Sequence, residues 1–143
     1  MNVETILRTK GRSVTIVAPD ARIAAAVALL RRHAIGALVV SRDGKAIDGI
    51  LSERDVVAAL ADRGAAVLEL SVAELMSRQV VTCRIGDSIA DLAALMTERR
   101  IRHLPVVERG ELVGIVSIGD VVKHRIDEVV EEASSMREFI ASA

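Results

Sequence analysis

Apolar positions along the chain alternate between helical and strand-like spacing, and the whole alternation runs through twice. Val3, Ile6 and Leu7 fall on one helical face that ends at Gly11. Ser71-Val72-Ala73-Glu74-Leu75-Met76 repeats that spacing behind a capping box, Ser followed three residues on by Glu. Next come the runs Val14-Thr15-Ile16-Val17, closed by Pro19-Asp20, and Val80-Val81-Thr82-Cys83-Arg84, closed by Gly86-Asp87. Both predict a strand entering a helix. The helices follow as Ile23, Val27, Leu30 and Ala34, and as Ile89, Leu92, Ala93 and Met96. Their cationic ends, Arg31-Arg32-His33 and Arg99-Arg100, suit the negative pole of a helix better than a binding role.

A second strand is predicted over Ile35-Gly36-Ala37-Leu38-Val39-Val40 and over Ile101-Arg102-His103-Leu104-Pro105-Val106-Val107. Hairpin signals follow, Arg42-Asp43-Gly44-Lys45 and Glu108-Arg109-Gly110-Glu111. Each leads into one seven-residue phrase: Gly49-Ile50-Leu51-Ser52-Glu53-Arg54-Asp55, and 65 positions later Gly114-Ile115-Val116-Ser117-Ile118-Gly119-Asp120. Two aliphatics ending in Ser-x-x-Asp predict a strand running into a capped helix. The order helix, strand, helix, strand, strand, helix thus occurs twice, dividing the chain at 1–67 and 68–130. Repeat 1 has one more residue than repeat 2 between its Asp20 or Asp87 and the following Ile35 or Ile101, a slip that belongs in a helix end or loop.

Beyond Asp120 the halves diverge. Val122, Ile126, Val129, Ala133, Met136 and Ile140 make a seam of period 3.5 with no Gly or Pro to interrupt it. A long C-terminal helix over 119–143 is expected. It exceeds what a 60-residue repeat needs for its own core, so part of it is expected to pack on another subunit rather than fold back.

Composition narrows the function. Hydrophobic residues at 51% and charged residues at 27% predict a compact, folded chain. No apolar run approaches a membrane span, the N-terminus lacks the marks of a signal peptide, and a single cysteine makes no internal disulfide. A cytoplasmic protein with no membrane partner is the expectation. Cys83 is expected to be a small buried hydrophobe. A net charge of −1, with no Trp or Tyr and one Phe, argues against nucleic acid. Any base bound here must lie between aliphatic side chains. His33, His103 and His124 show no metal-ligand spacing.

The doubled pattern in register, with Ile-Gly-Ala-Leu-Val-Val and Ile-Arg-His-Leu-Pro-Val-Val before a hairpin and Gly-h-h-Ser-x-x-Asp after it, resembles a pair of CBS (cystathionine β-synthase) domains from about Val3 to Val130. The resemblance implies an α/β (α+β) fold: two β-α-β-β-α units with pseudo-twofold symmetry, two clefts, and pairing into a homodimer. It implies an adenosyl ligand such as AMP, ADP, ATP, S-adenosylmethionine or NAD(H), bound as a regulatory ligand. Transferred residue by residue, it gives Asp55 and Asp120 the ribose hydroxyls and brings Ser52 and Ser117 to phosphate. Thr15, Thr82, Ala37 and His103 match positions lining the adenine and phosphate ends.

The physics agrees: a carboxylate accepts two hydroxyl donors, and a helix start offers free N–H groups to an anion. Arg54 adds a forked donor at the first copy. The second copy has Gly119 there, while Arg102 and His103 replace Gly36 and Ala37, so the Asp55 cleft is the stronger candidate for a phosphorylated ligand. Ser-x-x-Asp is equally an ordinary capping box, and duplication copies caps as well as sites. Three functions stay open. The first is a regulatory module sensing adenine nucleotides and acting on itself or an unidentified protein target. The second is an interaction protein with empty clefts working through its C-terminal helix. The third, an enzyme, is disfavoured because no paired nucleophile and base and no Gly-rich phosphate loop is present.

Overall fold

The computed structural model describes residues 1–142. Its first half runs α1 (Val3–Lys10), β1 (Ile16–Val17), α2 (Ile23–His33), β2 (Ala37–Val40), β3 (Gly49–Ser52) and α3 (Glu53–Arg63). A 3₁₀ turn (Ala65–Glu69) leads to α4 (Val72–Leu75), α5 (Ile89–Arg99), β4 (His103–Glu108), β5 (Glu111–Ser117) and α6 (Ile118–Ser142). This is a mixed α+β fold with two small sheets and a long final helix. In the first sheet β1 pairs parallel and β3 antiparallel with the central β2; in the second, β4 and β5 pair antiparallel.

The two halves exchange their opening helices. Val3, Ile6 and Leu7 of α1 are fully buried among Cys83, Ile89, Leu92, Met96, Leu104 and Val116, the core of the second half. Val72 of α4 and Met76, which ends it, are buried with Val17, Ile23, Leu38, Leu51 and Val56, the core of the first. Backbone bonds hold each exchange in matching places. Val3 N–H donates to Asp87 O (2.9 Å) and Val72 N–H to Ala21 O (2.7 Å), each just before a long helix. Isolated bridges Asn2–Ser88 and Arg22–Ser71 repeat the correspondence. This is the pseudo-twofold relation in hydrogen-bond terms.

The glycine that opens each seven-residue phrase follows from the exchange. A Cβ on Gly49 would stand 2.7 Å from Met76 Sδ and 2.8 Å from the Ser77 carbonyl, and one on Gly114 would stand 2.9 Å from Leu7 Cδ2. Each strand lacks a side chain where the other half's helix crosses it.

Two expected elements come out differently. Val80–Arg84 is not a strand; it keeps one parallel bridge, Cys83 to Val106. In the first sheet Val39 N–H reaches Thr15 O (3.4 Å), but Pro105, its counterpart, has no N–H to give. The bridges Val17–Val40 and Cys83–Val106 also make Val81, not Thr82, the equivalent of Thr15. The Arg42–Lys45 stretch is a side-chain-held loop instead of a hairpin turn: Asp43 Oδ1 accepts from the Lys45 and Ala46 amides at 2.8 and 2.9 Å. Arg109 and Gly110, with φ of 52° and 79°, do form the tight two-residue turn expected of them. The one-residue slip falls before α2 and α5, which both have 11 residues and end on a left-handed cap, Ala34 and Arg100.

Helix α6 has 25 residues and is about 37 Å long at ~1.5 Å per residue. Val121 and His124 are buried, whereas Val122, Ile126, Val129, Met136 and Ile140 of the seam are exposed. No helix of the described residues is long and apolar enough to cross a membrane.

A methyl group on Gly49 meets a backbone carbonyl, while one on Gly114 meets only the tip of Leu7. Gly49→Ala is therefore expected to cost about 1–3 kcal/mol by overpacking, and Gly114→Ala distinctly less, measured by urea unfolding. Equal effects would show that helix crossing does not explain these glycines.

Candidate functional site

At the end of β3 the chain turns into α3 through a reciprocal cap. The Ser52 amide and hydroxyl both donate to Asp55 Oδ2, at 2.8 and 3.0 Å, and the Asp55 amide returns a bond to Ser52 Oγ at 3.2 Å. Ser117 and Asp120 reproduce this at 2.9, 3.0 and 3.2 Å. Even the bond that seats the next residue is duplicated, Glu53 N–H to Gly36 O (2.9 Å) and Ile118 N–H to Arg102 O (2.8 Å). The two junctions are thus the same local structure, and both are capping boxes.

Their surroundings differ. The Asp55 junction opens into a cleft of about 300 Å³ between the halves. Ala37, Ile50, Val80, Val81 and Ile101 supply its aliphatic walls, and Ser52, Arg54, Asp55, Arg102 and His103 its polar rim. The structure therefore brings Ala37, Ser52, Arg54, Asp55, Arg102 and His103 together. Ser117, Asp120, Thr15 and Thr82 lie outside this cleft; Thr82 is exposed, and Val81 stands in the place that equivalence with Thr15 assigns. Asp120 is engaged by Lys10, whose Nζ donates to Asp120 Oδ2 at 2.7 Å and to the Ile115 carbonyl at 3.0 Å.

Four polar lining residues escaped sequence reasoning: Glu53, Ser77, Gln79 and Arg100. Arg100 looks in sequence like a complement to a helix end, and its left-handed conformation (φ 54°) is that of a cap, yet it also faces the cleft. Ser77 and Gln79 come from the segment after α4, whose place in the first half no spacing rule discloses.

His103 bridges the two junctions. It pairs with Ser117 across the second sheet and packs within 3.1 Å of where a Cβ on Gly36 would be. Burial lowers its pKa from 6.5; Glu53 pulls it up, Arg102 and Lys10 push it down, and Asp120 pulls it up, with a lowered value as the result. At Asp120 burial alone would raise the carboxyl, but the Lys10 ammonium and the Ser117 donors hold it below the ordinary 3.8. Cys83 is buried and its thiol is pushed up to about 12 by burial and by Asp87, so it is not a ready nucleophile. Among the described residues no three His, Cys, Asp or Glu side chains converge as a metal site.

The CBS domain model matches residues 4–62 and 72–127. The chain belongs to the CBS-domain family. Its two CBS repeats make it a CBS pair, and solved CBS proteins share the fold closely. A CBS-domain-containing protein from Agrobacterium tumefaciens is 46% identical, with a TM-score of 0.85 over 87% of this chain and 99% of its own. The CBS pair of protein MJ0100, solved with 5′-methylthioadenosine and S-adenosyl-L-methionine, is 25% identical (TM-score 0.76, 90% of this chain, 98% of its own). CBSX2, solved with AMP, is 26% identical (TM-score 0.73, 88% of this chain, 96% of its own).

His103 gives a pH test. Folding lowers its pKa, so the unfolded chain, titrating near 6.5, takes up the proton first as pH falls. Its contribution is complete above about 6.5 and declines as pH drops toward the folded value. Urea midpoints at pH 7.5 and 5.5 are expected to fall more for wild type than for His103→Gln. An equal fall would show that His103 is not held neutral.

Proposed function

We propose that this CBS pair is a regulatory module that binds an adenosine-containing ligand in the Asp55 cleft, with a phosphorylated mononucleotide such as AMP preferred. The observation that carries the reading is the carboxylate of Asp55. One oxygen serves the Ser52 cap, and among the described residues the group has no ion-pair partner, leaving its other oxygen for ribose hydroxyl donors. Aliphatic walls on both sides suit the flat base. The start of α3, with Arg54 beside it and Arg100 and Arg102 opposite, suits a phosphate. Relatives that hold AMP, 5′-methylthioadenosine and S-adenosylmethionine support the adenosine class. Three guanidiniums favour a phosphate over a sulfonium. The volume lies at the lower end of the ~300–1,000 Å³ usual for ligand pockets, which favours one nucleotide over a dinucleotide.

We also propose that the exposed seam of α6 pairs with α6 of a second copy. Its period of 3.5 is that of helices packed on helices, and it extends past the residues that the chain's own core covers. Transmission of ligand occupancy to a partner protein would then run through α6 or the dimer geometry.

Melting in the presence of AMP, ATP, S-adenosylmethionine and NADH tests the ligand. A bound nucleotide at 100 times its Kd is expected to add about 2.7 kcal/mol. Asp55→Ala is expected to abolish the AMP response, and Asp120→Ala to preserve it, each compared with its own ligand-free form because either change also removes a cap worth ~1 kcal/mol. Unchanged AMP affinity in Asp55→Ala would overturn the assignment. For the dimer, sedimentation at micromolar concentration is expected to give two chains for wild type and one for Ile126→Glu/Val129→Glu. Monomeric wild type would refute the pairing.

A further inference from the structure

The two Ser-x-x-Asp junctions have matching caps, so what separates them lies outside the phrase. It is delivered by the exchanged helices. Lys10 stands seven residues after Val3, as Gln79 stands seven after Val72. Gln79 lines the Asp55 cleft, and Lys10 lies on Asp120. The Lys10 ammonium is held by two acceptors at once, the Asp120 carboxylate at 2.7 Å and the Ile115 carbonyl at 3.0 Å, with the two side chains 31% and 22% exposed. Lys10 bonds Oδ2, the oxygen that also takes the Ser117 donors, so an ammonium stands against the carboxylate whose counterpart at the other junction has no ion-pair partner among the described residues.

We propose that Lys10 is an internal occupant of the second junction: its ammonium pairs with the Asp120 carboxylate, stands in the way of a ligand there, and restricts the chain to one bound ligand, at Asp55. The inference rests on reading Asp55 as an adenosine-ligand site and adds what decides between the two copies. Three features agree with it. Gly119 leaves the second copy without the guanidinium that Arg54 gives the first. The Lys10 contact is one of two ionic ties between α1 and α6 or its start, the other joining the N-terminal amine of Met1 to Glu128 at 3.3 Å, so the plug is anchored at both ends of α1. Finally, Gly11 at φ 94° ends α1 directly after Lys10 and stops the helix at the point where that side chain reaches Asp120.

The test is the number of AMP molecules bound per chain by titration calorimetry. Wild type is expected to bind one. Lys10→Gln, which installs the residue found at the other junction, is expected to bind two, and Lys10→Gln/Asp120→Ala one again. Lys10→Met, which removes the charge without supplying a new amide, is expected to behave as Lys10→Gln, and the melting of each variant shows that it is folded. If wild type binds one AMP, lost in Asp55→Ala, and both Lys10 variants still bind one, the plug is refuted while the Asp55 reading stands. Two AMP bound by wild type refutes it as well. No AMP bound by any of these proteins overturns the adenosine reading and the plug together.

Discussion

The crossing of each opening helix over the other half's final strand is the constraint on which the rest of the molecule depends. Leu7 presses on Gly114 and Met76 on Gly49, so each hydrophobic core is completed by residues from the other half of the sequence. Neither half has a closed core alone, which ties the two into one cooperative unit. The exchange also brings the segment that follows each short helix to the other half's Ser-x-x-Asp junction. A packing requirement thereby becomes a chemical one: a neutral glutamine arrives at Asp55 and a lysine at Asp120.

The Ser-x-x-Asp phrase leaves room for the proposed ligand beside the cap because a carboxylate has more lone pairs than a cap needs. Oδ2 satisfies the Ser52 or Ser117 donors in both copies, which secures the helix start whether or not anything is bound. The surroundings are what differ. Asp55 faces an aliphatic cleft ringed by guanidiniums; at Asp120 an ammonium sits on the cap oxygen itself. His103 stands within electrostatic reach of Glu53 on one side and of Lys10 and Asp120 on the other.

Much of this was legible in the sequence. The capping boxes at Ser52, Ser71 and Ser117, the faces of α2 and α5, the turn at Arg109-Gly110 and the long apolar seam of α6 all rest on local rules of spacing and capping. What was not legible depends on distance in space. Periodicity shows that Val3, Ile6 and Leu7 are buried but not that their partners lie in the second half. Thr82 reads as the twin of Thr15 until the sheet register, limited by Pro105, shifts the equivalence to Val81. Arg100 reads as a cation closing a helix and Lys10 carries no signal in the sequence, and both turn out to face the junctions because of where the exchanged helices and the second half are carried.

On the proposed reading, two locally matching junctions differ in function because of what the exchanged helices bring to them. The most direct measurement is residue-resolved NMR of the chain titrated with AMP. Amide shifts concentrated at Ala37, Ser52 to Asp55 and Ile101 to His103, with Ser117 to Asp120 little changed, are the predicted result. Shifts centred on Ser117 to Asp120, with Ser52 to Asp55 silent, would contradict it.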